Sequence, residues 1–325
     1  MEEGFMVTSD KGLSAPSTQQ LEEARSRLRA VVKETPIAVS EVLNRELNAE
    51  IFFKCENQQT GGSFKYRGAM NKALSLGAEE RAKGLAGHSS GNHGIALAMA
   101  AGYLGVPAYV VVPDNTSEVK CQAIAARGAQ LLLCAPRHEA REEAISQLLA
   151  STGACEVHSS ADPLVIAGAA TATLELLEQV PGLDAIVAPV GGGGLVSGAI
   201  LACSYKAPGV KVYGAEPHGA NDAILSLRLG KLTRLDKVET CVDGLRAPLS
   251  ALTFSIIRQG ITALVEVEDE EVLAARRDLE SELDMPVELS SAVCLALLRK
   301  TPEALQGKRL GILLSGGNVY RPAGA

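Results

Sequence analysis

The sequence predicts an α/β protein built on open, mostly parallel sheets flanked by helices, and three observations carry that prediction. Short apolar runs alternate with helical stretches almost to the end of the chain, the pattern of strands joined by crossover helices. Glycine-rich stretches follow the ends of two of those runs, at Gly191 and Gly316, where open sheets of this class bind ligands. A length of 325 residues with 46% hydrophobic side chains is enough for two lobes sharing a sizeable core.

The polar N-terminal residues, about a dozen of them, are expected to fray. Ser17 and Gln20 then form a capping box, and Leu21, Ala24, Leu28 and Val31 follow at helical spacing until Thr35-Pro36 breaks the pattern. Val39 to Leu47 reads as a short helix, Ile51 to Lys54 as a strand, and Tyr66 to Leu76 as the next helix. Further strands are predicted at Gly84 to Gly87, Ala108 to Val112, Gln130 to Leu133, Ala185 to Val190, Lys211 to Ala215, Ala263 to Val267 and Leu310 to Leu314. Between them the spacing predicts helices over Gly94 to Tyr103, Glu118 to Arg127, His138 to Leu149, Ala167 to Gln179, Gly194 to Lys206, Asp269 to Glu282 and Ser290 to Lys300. The acidic run Glu268 to Glu271 opens one of these helices, where carboxylates complement the dipole, and reads as a helix start rather than a metal cluster. No linker marks a domain boundary.

Composition narrows the function. A net charge of -7 argues against nucleic acid or an anionic membrane as the main partner and favours a small-molecule substrate. Seven dispersed cysteines without a CxxC pair suit reduced thiols better than a disulfide framework or a zinc site. The N-terminus lacks a basic region followed by an apolar one, and the apolar stretch Ile186 to Cys203 is broken by five glycines. A soluble cytoplasmic protein is expected.

Four stretches carry chemistry. Gly61-Gly62-Ser63-Phe64-Lys65-Tyr66-Arg67-Gly68 sets one lysine in a turn of small residues, where partial burial and a helix start would favour a neutral, nucleophilic amine. His88-Ser89-Ser90-Gly91-Asn92-His93-Gly94 offers hydroxyls, an amide and backbone N–H groups at a helix start, suited to a carboxylate or an aromatic hydroxyl. Gly191-Gly192-Gly193-Gly194-Leu195 removes every blocking side chain before a helix, so that consecutive N–H groups can wrap a phosphate. Leu314-Ser315-Gly316-Gly317-Asn318 places a hydroxyl off a strand end, able to meet a ring nitrogen. A dinucleotide fingerprint is the rival for Gly191 and Gly193, with Glu216 as the ribose acid, but its third glycine would fall at Val196 and it leaves Lys65 and Ser90 unexplained.

In this order the four stretches resemble the fold-type II pyridoxal phosphate enzymes, specifically the serine racemase and serine/threonine dehydratase family, over nearly the whole chain. The resemblance implies a two-lobed, tryptophan synthase β-like fold, with residues 1–83 and 161–325 forming a large cofactor-binding domain and 84–160 a small mobile one. It implies pyridoxal 5'-phosphate as cofactor, Lys65 as its Schiff-base lysine and Phe64 packed beside the ring. Asn92 would bond the ring hydroxyl, Gly191, Gly192, Gly193, Gly194 and Leu195 the phosphate, and Ser315 the pyridine nitrogen. A serine there permits a neutral ring, so loss of a β-leaving group competes well with transamination.

The same resemblance implies that Lys65 removes the α-proton of a β-hydroxy amino acid such as serine, threonine or 3-hydroxyaspartate, which leaves as a keto acid and ammonia. Ser89, Ser90, Asn92 and His93 would bind the substrate carboxylate, with Arg141 near the substrate. Ser90 matches the second acid/base of the racemases, so amino-acid racemase activity is implied as a companion. Glu216, Ala220 and Asp222 match a divalent-cation site suited to magnesium, calcium or manganese. A homodimer without a C-terminal regulatory domain is expected.

Departures from the family pattern bear on the substrate. Gly168-Ala169-Ala170-Thr171 stands where relatives show Gly-x-Gly-Thr, Glu288-Leu289-Ser290-Ser291 where they show Glu-Pro-Ser/Thr-Gly/Ala, and Ala247 where the racemase has a serine. These changes are expected around the substrate side chain, favouring a bulkier or acidic substrate, with Arg246 as a candidate partner for an extra carboxylate. Serine racemase as the main activity, β-replacement, a nicotinamide-dependent oxidoreductase and a non-catalytic cofactor-binding protein are the rival functions.

Overall fold

The computed structural model describes residues 14–319, so the polar stretch expected to fray lies outside the described residues. Ten strands form two sheets: β1 (Ile37–Ala38), β2 (Glu50–Lys54), β3 (Leu85–His88), β4 (Ala108–Pro113), β5 (Ala129–Cys134), β6 (Cys155–Glu156), β7 (Ala185–Pro189), β8 (Lys211–Pro217), β9 (Ala263–Val267) and β10 (Arg309–Leu313). The larger sheet has the order β1-β2-β10-β7-β8-β9 and the smaller one β5-β4-β3-β6. Every pair is parallel except β1 with β2.

Alternation along the strands explains why both faces of each sheet are covered. Ile186 and Ala188 of β7 point into one core with Val212 and Leu313, under the helices Pro163–Gln179, Gly194–Lys206 and Ala251–Gly260. Their neighbours Ala185 and Val187 point into the opposite core with Leu310 and Ile312, under the helices Glu41–Leu47, Asp269–Leu283 and Leu289–Lys300. In the smaller sheet Val110 and Val112 face the helix Asn92–Leu104, whereas Val111 faces Ile145 of the helix His138–Thr152. Tyr66, Ala69 and Met70 of the helix Lys65–Ser75 share that first core, which ties this helix to the smaller sheet.

The capping box at Ser17 forms as the sequence implies, and Glu268 stands at the N-cap of Asp269–Leu283 with Glu271 closing a box onto its backbone. The strands β1 and β6 have two residues each, too few to show a period, and the sequence offers no sign of them. The helices Ala78–Ala82 and Ala251–Gly260 were likewise unread. All seven cysteines are free. Among the described residues no helix is long and apolar enough to cross a membrane.

A buried ionic network fixes the helix that carries Lys65. Arg67 is fully buried and donates to both oxygens of Glu56 at 2.8 and 2.9 Å and to both of Glu175 at 2.7 Å, while Lys54 reaches Glu175 at 2.7 Å. The geometry matters because a buried guanidinium without these carboxylates would cost several kcal/mol, about 3–5 when one partner is removed. A cavity of about 590 Å³ borders this network, lined by Arg25, Arg67, Thr171 and Glu175 among others, and includes none of the chemistry-bearing side chains described next.

Candidate active site

Strand order brings the distant motifs together. Because β10 lies between β2 and β7, the chain leaves three adjacent carboxyl edges toward Lys65, Ser315 and the glycine loop in turn. The Lys65 and Ser315 stretches also pair directly: Ser63 bridges Gly316, and Phe64 N donates to Ser315 O at 3.0 Å. Asn92 arrives from the smaller sheet, at the start of the helix that follows β3.

Lys65 opens its helix with Phe64 at the N-cap. Its Nζ donates to Ser159 O at 2.9 Å and stands 5.0 Å from the Phe64 ring centroid. Burial lowers the amine to about 8, so the neutral form that attacks an aldehyde is accessible near neutral pH. Gly61 and Gly62 both have positive φ, and a Cβ at Gly62 would collide with the Asn318 amide.

The Asn92 amide is held at both ends. Its Nδ2 donates to both Glu288 oxygens, at 2.8 and 2.9 Å, and its Oδ1 accepts from Asn318 Nδ2 at 2.8 Å. Ser315 is buried, with its hydroxyl 3.2 Å from that of Ser291 and no carboxylate bonded to it. Ser291 in turn bonds both the N–H and the carbonyl of Gly316, each at 3.0 Å.

The glycine loop leaves β7 and turns at Gly193, whose φ of 81° places it in the left-handed region. A Cβ at Gly191 would stand 2.8 Å from Leu245 Cα, and one at Gly192 would stand 2.6 Å from Ser160 Oγ, so side chains here would fill the loop. No side chain caps the helix Gly194–Lys206, which leaves its first-turn N–H groups for an outside acceptor. The chemistry of a phosphate fits this donor set, that of an aldehyde fits the Lys65 amine, and that of a ring nitrogen fits the buried Ser315 hydroxyl. Leu195, in the first turn, is buried.

The remaining predicted contacts divide. Ser89 Oγ accepts from Gly91 N at 3.1 Å, which orients its hydroxyl and leaves the proton to donate, and Ser90 is half-buried beside it. His93 behaves differently from the expectation: Nε2 lies 2.6 Å from Val157 O and so carries the proton, and burial pushes the ring down to about 3. A buried neutral imidazole bonded to a carbonyl supports the loop and is not poised to donate to a substrate carboxylate. Arg141 is half-buried in the helix His138–Thr152 near Cys134, and among the described residues it shares no hydrogen bond with Lys65, Ser90 or Asn92.

Two of the departures have side chains engaged elsewhere in the fold. Ala170 packs against the Gly198 position and Thr171 Oγ accepts from Arg67 at 3.1 Å, so Gly168 to Thr171 serves helix packing and the ionic network. Arg246 donates to Thr240 O through Nε at 3.1 Å and Nη2 at 2.5 Å and is exposed, so it is occupied away from any extra carboxylate. The Glu288 segment bonds Asn92 directly, whereas Arg246 and Ala247 lie between Leu245 and Pro248, which border the Gly191 and Gly192 positions. Sequence reasoning missed the roles of Glu288, Ser291, Asn318 and the Ser159 carbonyl.

Glu216 and Asp222 form a second cluster at the end of β8. Glu216 is fully buried and accepts from Ala223 N at 3.1 Å and Ile224 N at 3.0 Å, while Asp222 accepts from Leu249 N at 2.9 Å. Burial raises both carboxyls, with Asp222 adding to the rise at Glu216. The buried Ala220 sits between them in a single turn, His218–Ala220. Two buried carboxylates without an ion-pair partner among the described residues suit a hard divalent cation.

An amine of lowered basicity, a glycine loop with free backbone donors and a buried serine hydroxyl, gathered on adjacent strand ends of the larger sheet, define the class of a pyridoxal phosphate enzyme. The comparisons agree. Residues 28–316 match the family described as pyridoxal-phosphate dependent enzyme, and the chain belongs to that family. It is 41% identical to the beta-hydroxyaspartate dehydratase of Paracoccus denitrificans (strain Pd 1222) over 94% of this chain and 96% of that protein. It is also 41% identical to a serine racemase of Arabidopsis thaliana, covering 92% of each. The structure of maize serine racemase superposes with a TM-score of 0.92 at 36% identity, covering 94% of both chains.

Proposed function

We propose that the protein is a pyridoxal phosphate-dependent dehydratase that converts a β-hydroxy amino acid to a keto acid and ammonia, with racemisation as a companion activity. The observation that carries this reading is the convergence of the Lys65 amine, the Gly191 to Gly194 loop and Ser315 on adjacent strand ends. The likeness to a β-hydroxyaspartate dehydratase favours 3-hydroxyaspartate as substrate, with serine and threonine as further candidates.

Phe64, Lys65, Asn92, Gly191 to Leu195 and Ser315 would hold the cofactor, which when bound supplies an electron sink for the α-carbon. The neutral Lys65 amine takes the α-proton, and the Ser159 carbonyl orients that amine by accepting from it. Ser89, Ser90 and the N–H groups of the Asn92 helix start bind the substrate carboxylate, and Ser90 offers its hydroxyl proton to the opposite face of the α-carbon. Residues 84–160 act as a small domain that closes over the site and excludes water. A cytoplasmic homodimer is the expected form of the enzyme.

The test is direct. Purified protein incubated with pyridoxal phosphate should turn yellow and release keto acid from at least one isomer of 3-hydroxyaspartate, serine or threonine. Colourless protein, or loaded protein inert toward all of them, sinks the reading. Conversion of a thiol nucleophile into a substituted amino acid would replace it with β-replacement.

Glu216, the Ala220 carbonyl and Asp222 would hold the divalent cation, as a structural or activating ion. Magnesium, calcium or manganese at a hundredfold excess over Kd is expected to raise the melting temperature by about 3 °C or more. Asp222→Asn should abolish that rise. An equal rise in the variant would place the ion elsewhere.

A further inference from the structure

Glu288 is a half-buried carboxylate whose placement helix capping does not explain. It occupies the N-cap of the helix Leu289–Lys300, yet its side chain makes no capping bond to that helix. The carboxylate turns instead to Asn92 Nδ2, at 2.8 and 2.9 Å, and to Asn318 N at 2.8 Å, with only Ser290 Oγ, at 3.3 Å, from its own helix. A Cβ at Gly316 would stand 2.6 Å from Glu288 Oε1 and 3.0 Å from Asn92 Nδ2, so the glycine keeps this contact open. Even partial burial of a carboxylate is costly, and such groups persist where hydrogen bonding gives them a task.

The task follows from the amide. An asparagine presents a donor end and an acceptor end, and its neighbours decide which faces where. An ionised carboxylate accepts only, so Nδ2 of Asn92 must turn toward Glu288. Asn318 Nδ2, which also donates to Gly61 O at 2.8 Å, fixes Oδ1 on the other side. With Oδ1 committed to Asn318, the end of the amide able to donate to a phenolic oxygen is Nδ2, whose two hydrogens would be shared between Glu288 and that oxygen. A flipped amide would present an oxygen to an oxygen and repel it.

We propose that Glu288 is a positioning residue that fixes the Asn92 amide with its N–H, and not its carbonyl, toward the ring hydroxyl of the cofactor. The inference rests on the pyridoxal phosphate reading and deepens it. An N–H held in that direction favours the anionic ring oxygen, strengthens cofactor binding and sets the balance of the cofactor's absorption bands. Glutamine is nearly the same size but carries a donor of its own, so Glu288→Gln removes the directional cue while leaving the space filled.

The experiment is a double-mutant cycle of Glu288→Gln with Asn92→Ala, read by spectroscopic titration with pyridoxal phosphate and by melting of the cofactor-free proteins. Glu288→Gln alone should weaken cofactor binding by roughly tenfold, the size seen when an orienting partner is lost, and should change the ratio of the long- to short-wavelength bands. Glu288→Asp should recover most of both, because it keeps an acceptor-only group. In the Asn92→Ala background Glu288→Gln should change neither affinity nor band ratio further. Equal effects in both backgrounds overturn the inference, as does a Glu288→Gln variant that melts earlier with affinity and spectrum unchanged. A wild-type protein that takes up no pyridoxal phosphate brings down the cofactor reading itself. A wild type that loads normally while the cycle shows no coupling overturns the role of Glu288 alone.

Discussion

Lys65→Met is expected to abolish keto-acid formation and, at pH 7, to raise the melting temperature of the cofactor-free protein. Loss of activity follows from the chemistry, since Lys65 is the amine proposed to form the covalent link and take the α-proton. The gain in stability follows from burial, which lowers the amine from 10.5 to about 8. A base whose folded value lies below its unfolded value binds fewer protons when folded, so the charged form opposes folding. That opposition is fully present below about pH 8 and fades as the pH rises from about 8 toward 10.5. Its size is about 2 kcal/mol once the partial exposure of the side chain is allowed for.

Methionine keeps the aliphatic stem against Phe64 and removes the ammonium. Thermal melts of the two cofactor-free proteins at pH 7 and pH 10 give the check: the variant should lead at pH 7 and lose much of that lead at pH 10. A variant less stable at pH 7 would show that the Ser159 carbonyl compensates the amine fully. Retained keto-acid formation would remove Lys65 from the chemistry altogether.

The site was legible in the sequence where chemistry and backbone freedom coincide. Lys65, Asn92, Gly191 to Gly194 and Ser315 stand in turns of small residues, because a ligand must approach the backbone there. Glu288 drew notice as part of a departure expected around the substrate side chain, but its bond to Asn92, 196 residues away, has no local signal. The Ser159 carbonyl gave none, as a backbone acceptor has no residue signature. Eight of the ten strands were legible from their apolar runs, all but the two-residue β1 and β6, but the insertion of β10 between β2 and β7 is a non-local pairing that no period encodes. The misplaced substrate role of Gly168 to Thr171 has the same origin: Ala170 answers Gly198 on a neighbouring helix, and only the fold shows the two are in contact.

Ser90→Ala is expected to separate the two proposed activities. Racemisation needs a proton delivered to the face of the α-carbon opposite Lys65, whereas dehydration needs only the proton taken by Lys65 and departure of the β-hydroxyl. The structure supplies the two groups from different sheets: Lys65 follows β2 of the larger and Ser90 follows β3 of the smaller. His93 is committed to Val157 O, so it is not placed to replace Ser90 as a proton donor. Removing a positioned acid or base lowers a rate by about a hundredfold or more. Chiral analysis of the amino acid alongside keto-acid release should therefore show racemisation falling by about that factor while dehydration stays within about tenfold. A parallel fall in both would reduce Ser90 to a carboxylate contact and leave racemisation without its second group. A wild type that dehydrates without racemising would confine the function to the lyase, with Lys65 as the sole acid/base.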